Sequence, residues 1–198
     1  MPQPFLTKSK VPTSSLGVPN MQVKLFGDWE KAVVAIQKMG PAVKEAGLKS
    51  QMRIANMIVT RVKAHIKNQD LHWKPLSHSY AEKKEREGLN EWTMFAYGNY
   101  YRAIKAWTVG SQNMVLIGVR RGLQTQSLSG RKSKMEIANI AVVHEFSSGR
   151  RIPKRPLWNP TIAELGGAKG LKALFVKHLV SHLRVRGIPV KQYSTLKL

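Results

Sequence analysis

The sequence predicts an α+β fold: a small, mainly antiparallel sheet packed against one long helix, with a C-terminal helix and extended terminal arms. Three observations carry that expectation. An apolar stripe at helical spacing runs from Pro41 to about Gln69. Two apolar-alternating segments, Tyr100 to Val109 and Met114 to Arg120, are separated by Gly110-Ser111-Gln112-Asn113 and read as a hairpin with a longer loop. Residues 1–20 and 184–198 carry too little apolar surface to order themselves and read as arms. The body is a single domain over 21–183.

In chain order, the first arm is rich in Pro, Ser, Thr and Gly, with Lys8 and Lys10 and no acids. Met21 to Phe26 alternates as a short strand, and Asp28 caps a helix that Gly40-Pro41 closes. The next helix places Leu48, Met52, Ala55, Ile58 or Val59, Val62 and Ile66 on one stripe, with lysines and arginines over much of the rest. A helix of that length spans roughly 42 Å and needs something to lie along, most simply a sheet plus a neighbouring subunit. Trp73 to Leu76 is extended. Ser79 with Glu82 reads as a capping box for a short charged helix that Gly88 ends. After the hairpin, Arg121 to Lys134 is polar, basic and without period, so it is expected to be a functional or mobile loop.

Ile137 to Pro160 is the stretch around which the C-terminal third of the chain is organised. Ile137, Ile140, Ala141 and Phe146 give a helical stripe, and Ser147-Ser148-Gly149 stops it. Pro153 and Pro156 forbid a helix over Arg150 to Trp158. A new helix then starts either at Asn159, with Pro160 in the first helical position, or at Thr161, with Glu164 completing a capping box. Glu164 to Gly170 interrupts that helix. Leu171, Leu174, Phe175, His178, Leu179 and His182 or Leu183 resume it until Gly187-Ile188-Pro189.

The charge balance is the extreme feature. Thirty-three basic residues against eleven acidic ones give a net +22. From Phe146 onward Glu164 is the only acid, against eleven Lys or Arg. Such a chain is expected to meet an anionic partner, either nucleic acid or an acidic protein surface. With no cysteine, disulfides and thiolate metal sites are excluded. No apolar run reaches the length needed to span a bilayer, and no membrane partner is expected.

Candidate chemistry is sparse. His178 and His182 stand at the spacing of a shared metal, but no further ligands accompany them, so they read as a helix flank. His144-Glu145 resembles the start of a zinc-protease motif, yet Ser148 holds the second histidine position. The acids are scattered or interleaved with lysine. No nucleophile–base pair, metal set or phosphate-binding glycine loop is present, so no catalytic residue, metal or cofactor is assigned and the chain is not expected to be an enzyme. Arg150, Arg151, Lys154 and Arg155 form either an anion-binding cluster or a basic edge protected by its charge and prolines. Together with Arg120, Arg121, Arg131, Lys132 and Lys134, they are the candidate partner-binding residues. Trp73, Trp92, Trp107 and Trp158 read as core or interface residues before stacking platforms.

One set of motifs resembles a family. His144-Glu145-Phe146, a short Ser/Gly turn, then Ile152-Pro153 and Arg155-Pro156-Leu157, is similar to a pattern in the tail-completion, or virion-morphogenesis, proteins of tailed bacteriophages. Trp73-x-Pro75-Leu76, Lys83-Lys84 and Tyr97-Gly98-Asn99-Tyr100 precede it in the family's order, so the resemblance covers roughly 21–165. Trp73, Gly98, His144, Glu145, Phe146, Pro153 and Pro156 are its structural positions. Ser147-Ser148 stand where Gly-Thr is usual, Leu157 where Phe is usual, and Phe95-Ala96-Tyr97-Gly98 where Leu-x-Thr-Gly is usual. The resemblance implies a structural virion protein of the neck or tail, made in the bacterial host's cytoplasm. It implies a homo-oligomeric ring, commonly a hexamer, between portal or adaptor proteins and the tail-tube or tail-terminator proteins. Its basic surface would meet genomic DNA in the lumen or acidic neighbours. The alternative is a basic nucleic-acid-binding protein of the ribosome- or nucleoid-associated type.

Overall fold

A computed structural model describes residues 40–110, 113–126, 132–147 and 152–186. In chain order these form α1 (Pro41–Asn68), α2 (His78–Arg86), α3 (Asn99–Ala103), β1 (Ile104–Val109), β2 (Met114–Val119), β3 (Gln124–Gln126), β4 (Lys132–Glu136), α4 (Ile137–Phe146), α5 (Trp158–Glu164) and α6 (Gly167–Val185). The fold is α+β, as expected. The strand at Met21 to Phe26, the helix from Asp28, and the arms over 1–20 and from 187 lie outside the described residues.

α1 starts where the sequence places it. Pro41 opens its first turn behind Gly40, where the missing proline N–H costs nothing. Gln69 closes it in the left-handed region at φ 54, with its N–H donating to the His65 carbonyl. Its buried row is Ala46, Ser50, Ile54, Ile58, Val62 and Ile66, spaced four apart. A row at that spacing is a ridge inclined to the axis, the shape against which another helix packs. The expected Leu48 and Met52 are only half-buried. The Ser50 hydroxyl satisfies itself by donating to the Ala46 carbonyl at 2.7 Å, which is why a serine can occupy the ridge.

α6 and the β1–β2 hairpin both pack along α1. The hairpin is antiparallel, from Ile104 opposite Val119 to Val109 opposite Met114. The first strand begins later than the alternation suggests. Gly98, at φ 70, enters the one-turn helix α3, which buries Tyr100 and Ala103 before the chain extends. Ile104 then points into the core and Lys105 away from it.

The expected loop over 121–134 is corrected. β3 and β4 pair antiparallel within it, Gln124 opposite Glu136 and Gln126 opposite Lys132, as a second two-stranded sheet separate from the first. Its strands read Gln-Thr-Gln and Lys-Ser-Lys-Met-Glu, so backbone pairing holds them without the apolar alternation that marks a strand in sequence.

Three helix boundaries also differ. α2 begins at His78, so Ser79 lies inside its first turn and forms no capping box. α5 begins at Trp158 and uses neither Asn159 nor Thr161 as its cap. α6 runs to Val185, so 184 and 185 belong to the helix and not to an arm. The break between α5 and α6 is a tight turn at Leu165-Gly166, with Gly166 at φ 82. One core joins all the layers: Ile54, Ile58, Val62 and Ile66 of α1, Tyr100 and Ile104, Ile137 and Ala141, Leu157, and Leu171 and Phe175 of α6. Complete burial of Ile66 or Leu157 contributes roughly 1.5–3 kcal/mol each. No helix among the described residues is long and apolar enough to cross a membrane.

Candidate functional site

Trp73, His144, Glu145, Pro153 and Pro156 lie at one junction between α4, the extended segment 152–157, and the strap 71–77 that leaves α1. Helix α4 buries Ile137, Ala141 and Glu145, again four apart, so an acid lies on the row facing the interior. Glu145 is only 4% exposed, and its carboxylate faces the first turn of α5. One oxygen accepts the backbone N–H of Leu157 at 2.7 Å and of Trp158 at 3.3 Å; the other accepts that of Asn159 at 3.4 Å. The start of a helix offers unpaired N–H groups and a partial positive charge, and a carboxylate answers both. Glu145 is thus the cap of α5, supplied from twelve residues upstream. The Thr161 hydroxyl donates back to the Leu157 carbonyl at 2.6 Å, which completes that turn.

The strap closes the other side. The Trp73 indole N–H donates to the Pro156 carbonyl at 2.9 Å. Arg155 is 5% exposed. Its guanidinium donates to the carbonyls of Lys74 and Pro75, and its backbone N–H donates to the His144 carbonyl at 2.7 Å. Burial pushes the Arg155 guanidinium pKa down from its ordinary value. The expected role of Arg155 in an anion-binding cluster is therefore corrected: it ties two chain segments together from inside. Prolines on either side explain why. Pro153 and Pro156 keep this segment out of any sheet, so its geometry depends on such side-chain ties.

His144 is half-buried beside Tyr100, with ring centroids 6.4 Å apart. Burial, and then the nearby Arg155 charge, hold its imidazole down to about 4. Its Nδ1 is buried without a hydrogen-bond partner among the described residues. Tyr100 is raised above the ordinary phenol range by burial. Phe146 does not follow its helical neighbours inward: it is 56% exposed, close to Ile152 in chain path through the Ser147 hydroxyl, which donates to the Ile152 carbonyl. Gly98 is required where it stands. A Cβ there would meet Arg102 Nη1 at 2.9 Å and Phe95 Cζ at 3.1 Å, at a backbone angle that side chains rarely adopt.

The described basic candidates are distributed over the end of the hairpin and the turn after it, β4, and the extended segment 152–157. Arg120 lies over the Trp107 ring, 4.9 Å from its centroid. Arg121 is exposed in the turn before β3. Lys132 and Lys134 have their backbone in β4. Lys154 is exposed, whereas Arg155 is not. Arg131, Arg150 and Arg151 lie outside the described residues.

Several positions escape a reading by pattern. Lys84, on the helix that looks uniformly solvated, is 2% exposed and donates to the carbonyls of Trp92 at 2.8 Å and Phe95 at 3.2 Å. His65 is buried between two carboxylates. Its Nδ1 is 2.6 Å from Asp70, and its Nε2 is 3.0 Å from Glu164 but off the line of a good hydrogen bond. Arg61 Nε also donates to Glu164, at 2.9 Å. Lys63 and Lys67 both sit over the Tyr101 ring, at 5.1 and 5.8 Å. A signal existed for His65 alone, since it stands eight residues past Met57 beside the apolar row and five before Asp70.

The arrangement is one of ties, caps and cation–aromatic pairs. No group of three or more His, Cys, Asp or Glu positioned for a metal occurs among the described residues. No family model, curated protein or solved structure matches the chain.

Proposed function

We propose that this chain is a structural protein of a tailed-phage neck or tail, a tail-completion or head–tail connector subunit that assembles into a ring between portal and tail. One observation supports the reading above the others. The residues that carry the resemblance, far apart in sequence, serve one another: Trp73 holds Pro156, Glu145 caps the helix after it, and His144 accepts from Arg155. Parts that depend on each other in this way form one structural unit, which supports reading them as a single motif. The role is structural, with no reaction attached.

The exposed apolar groups fit assembly. Val143 and Phe146 of α4, a helix that is apolar on nearly every face, are exposed, as is Ile152 in the segment after it. Helices of that kind are normally covered all round. The basic surface would meet DNA in the lumen or acidic neighbours.

The test is the solution state of purified full-length protein. A ring subunit forms a discrete oligomer without nucleic acid, visible by light scattering and negative-stain images. A nucleic-acid-binding protein of another class remains small and acquires mass only on DNA, with a steep salt dependence. A nuclease-treated preparation that stays monomeric across concentration counts against the ring.

A further inference from the structure

Helices α1 and α6 run antiparallel, and their register is pinned near both ends. Arg186, at the end of α6, pairs with Glu45 near the start of α1. At the opposite end, Arg61 and His65 hold Glu164, just before α6 begins. Eight residues inward from Glu45 is Arg53, and eight inward from Arg186 is His178. His182 stands one turn nearer the Arg186 end, on the same face as His178. The middle of the seam therefore brings Arg53 opposite a pair of imidazoles.

Among the described residues, neither α1 nor α6 contributes an acid to this middle. α1 has none between Glu45 and Asp70, and the chain has none after Glu164. The acids at the seam's ends are already engaged: Glu45 by Arg186 and Lys49, Glu164 by Arg61 and His65. Arg53 and Lys177 are exposed, and Arg53 has no ion-pair partner among the described residues. The neighbours that bear on His178 are the Arg53 and Lys177 cations and the His182 imidazole. Burial first, and then those three, push the His178 imidazole below its ordinary range. Lys49, one turn before Arg53 on α1, is engaged with Glu45.

We propose that the middle of the α1–α6 seam is a binding site for phosphoryl oxygens, with Arg53, His178 and His182 as its ligating side chains. Cations gathered without a counter-charge repel one another, and an anion relieves that cost. An arginine fork suits phosphate oxygens, and two imidazolium groups at i and i+4 supply donors from the facing helix. Because the free site disfavours the His178 imidazolium, binding takes up a proton there, and affinity rises as pH falls through the imidazole range. The phosphoryl group can come from a nucleic-acid backbone or from free polyphosphate. A monomer carries the seam as fully as a ring does, so this assignment does not depend on assembly.

The experiment follows the imidazole resonances of the full-length protein by NMR through a pH titration. Three samples are compared: protein alone, with pyrophosphate, and with a short random-sequence duplex. A ligand at the seam raises the titration midpoints of His178 and His182 by on the order of one unit and leaves exposed His78 unmoved. Shifts with pyrophosphate alone assign a small polyphosphate; shifts with the duplex assign a nucleic-acid backbone. In the second case, duplex affinity is expected to rise on the order of tenfold from about pH 8 to about pH 5.5. The variant H178Q/H182Q would lose that pH dependence. If neither anion moves either histidine, the seam is not a phosphate site. Ring formation, read by light scattering, is unaffected by either result.

Discussion

Glu145 and Leu157 are joined by a 2.7 Å hydrogen bond from the Leu157 backbone N–H to the Glu145 carboxylate. The end of one helix thereby caps the start of the next, across a segment that two prolines keep extended. Leu157 is itself fully buried, so its N–H has no access to water as a substitute. E145A leaves buried N–H groups without an acceptor and is expected to cost roughly 2–3 kcal/mol. E145Q keeps one acceptor oxygen and loses the charge, with an expected cost of about 1 kcal/mol. Urea midpoints of the three proteins measure this. Equal stability of E145A and the parent would show that the carboxylate does not hold α5.

Lys84 is expected to behave as a core residue. Its ammonium group donates to the Trp92 and Phe95 carbonyls, which shape the turn carrying the edge-on Trp92–Phe95 ring pair at 5.3 Å. K84M fills similar volume but strands two carbonyls, so a loss of roughly 1–3 kcal/mol is expected. K83M, at an exposed neighbour, is expected to change stability by less than about 0.5 kcal/mol. Thermal melts distinguish the two; matching melts would show that Lys84 is solvated.

Acid sensitivity is the third expectation. The His144 imidazole titrates at about 4 in the folded chain, against an ordinary 6.5. The unfolded chain therefore takes up this proton first as pH falls. Stability is unaffected above the unfolded value, declines between about 6.5 and 4, and then levels off for this group. The decline is at most roughly 3 kcal/mol. His178 is also lowered and adds to the same window. The carboxylates of Glu45, Asp70 and Glu164, held below their usual range, lose their contribution only as pH falls below their unfolded values. Denaturant midpoints at several pH values should thus show a first decline that H144Q reduces. An unchanged slope in H144Q would place the proton elsewhere.

Gly170 tests the turn between α5 and α6. A Cβ at that position would lie 2.1 Å from the Leu165 carbonyl oxygen. Backbone cannot retreat as a flexible side chain does, so G170A is expected to destabilise by about 1–3 kcal/mol although alanine favours helices. G167A is the control, because a Cβ there meets nothing within 4 Å, although its φ of +62 still carries strain. A stabilised G170A would mean that the turn opens freely.

The sequence alone determined what depends on local chemistry. The start of α1 at Gly40-Pro41 and its end near Gln69 were legible, because proline and cap geometry act within a turn. The β1–β2 pairing was legible from alternation, and the non-helical stretch before Trp158 from two prolines. Tertiary structure decided where local signals were silent or misleading. β3 and β4 are polar and are recognised only by each other's backbone. Tyr100 looked like strand because a buried one-turn helix and a strand share apolar residues. Asn159 and Thr161 looked like caps, but the helix starts earlier, at Trp158, and Glu145 holds its first N–H groups from another helix; a contact across twelve residues leaves no local trace. The same holds for charge. Arg155 and Lys84 read as surface cations because sequence records their charge and not the carbonyls that surround them, and only the folded chain brings those carbonyls within reach.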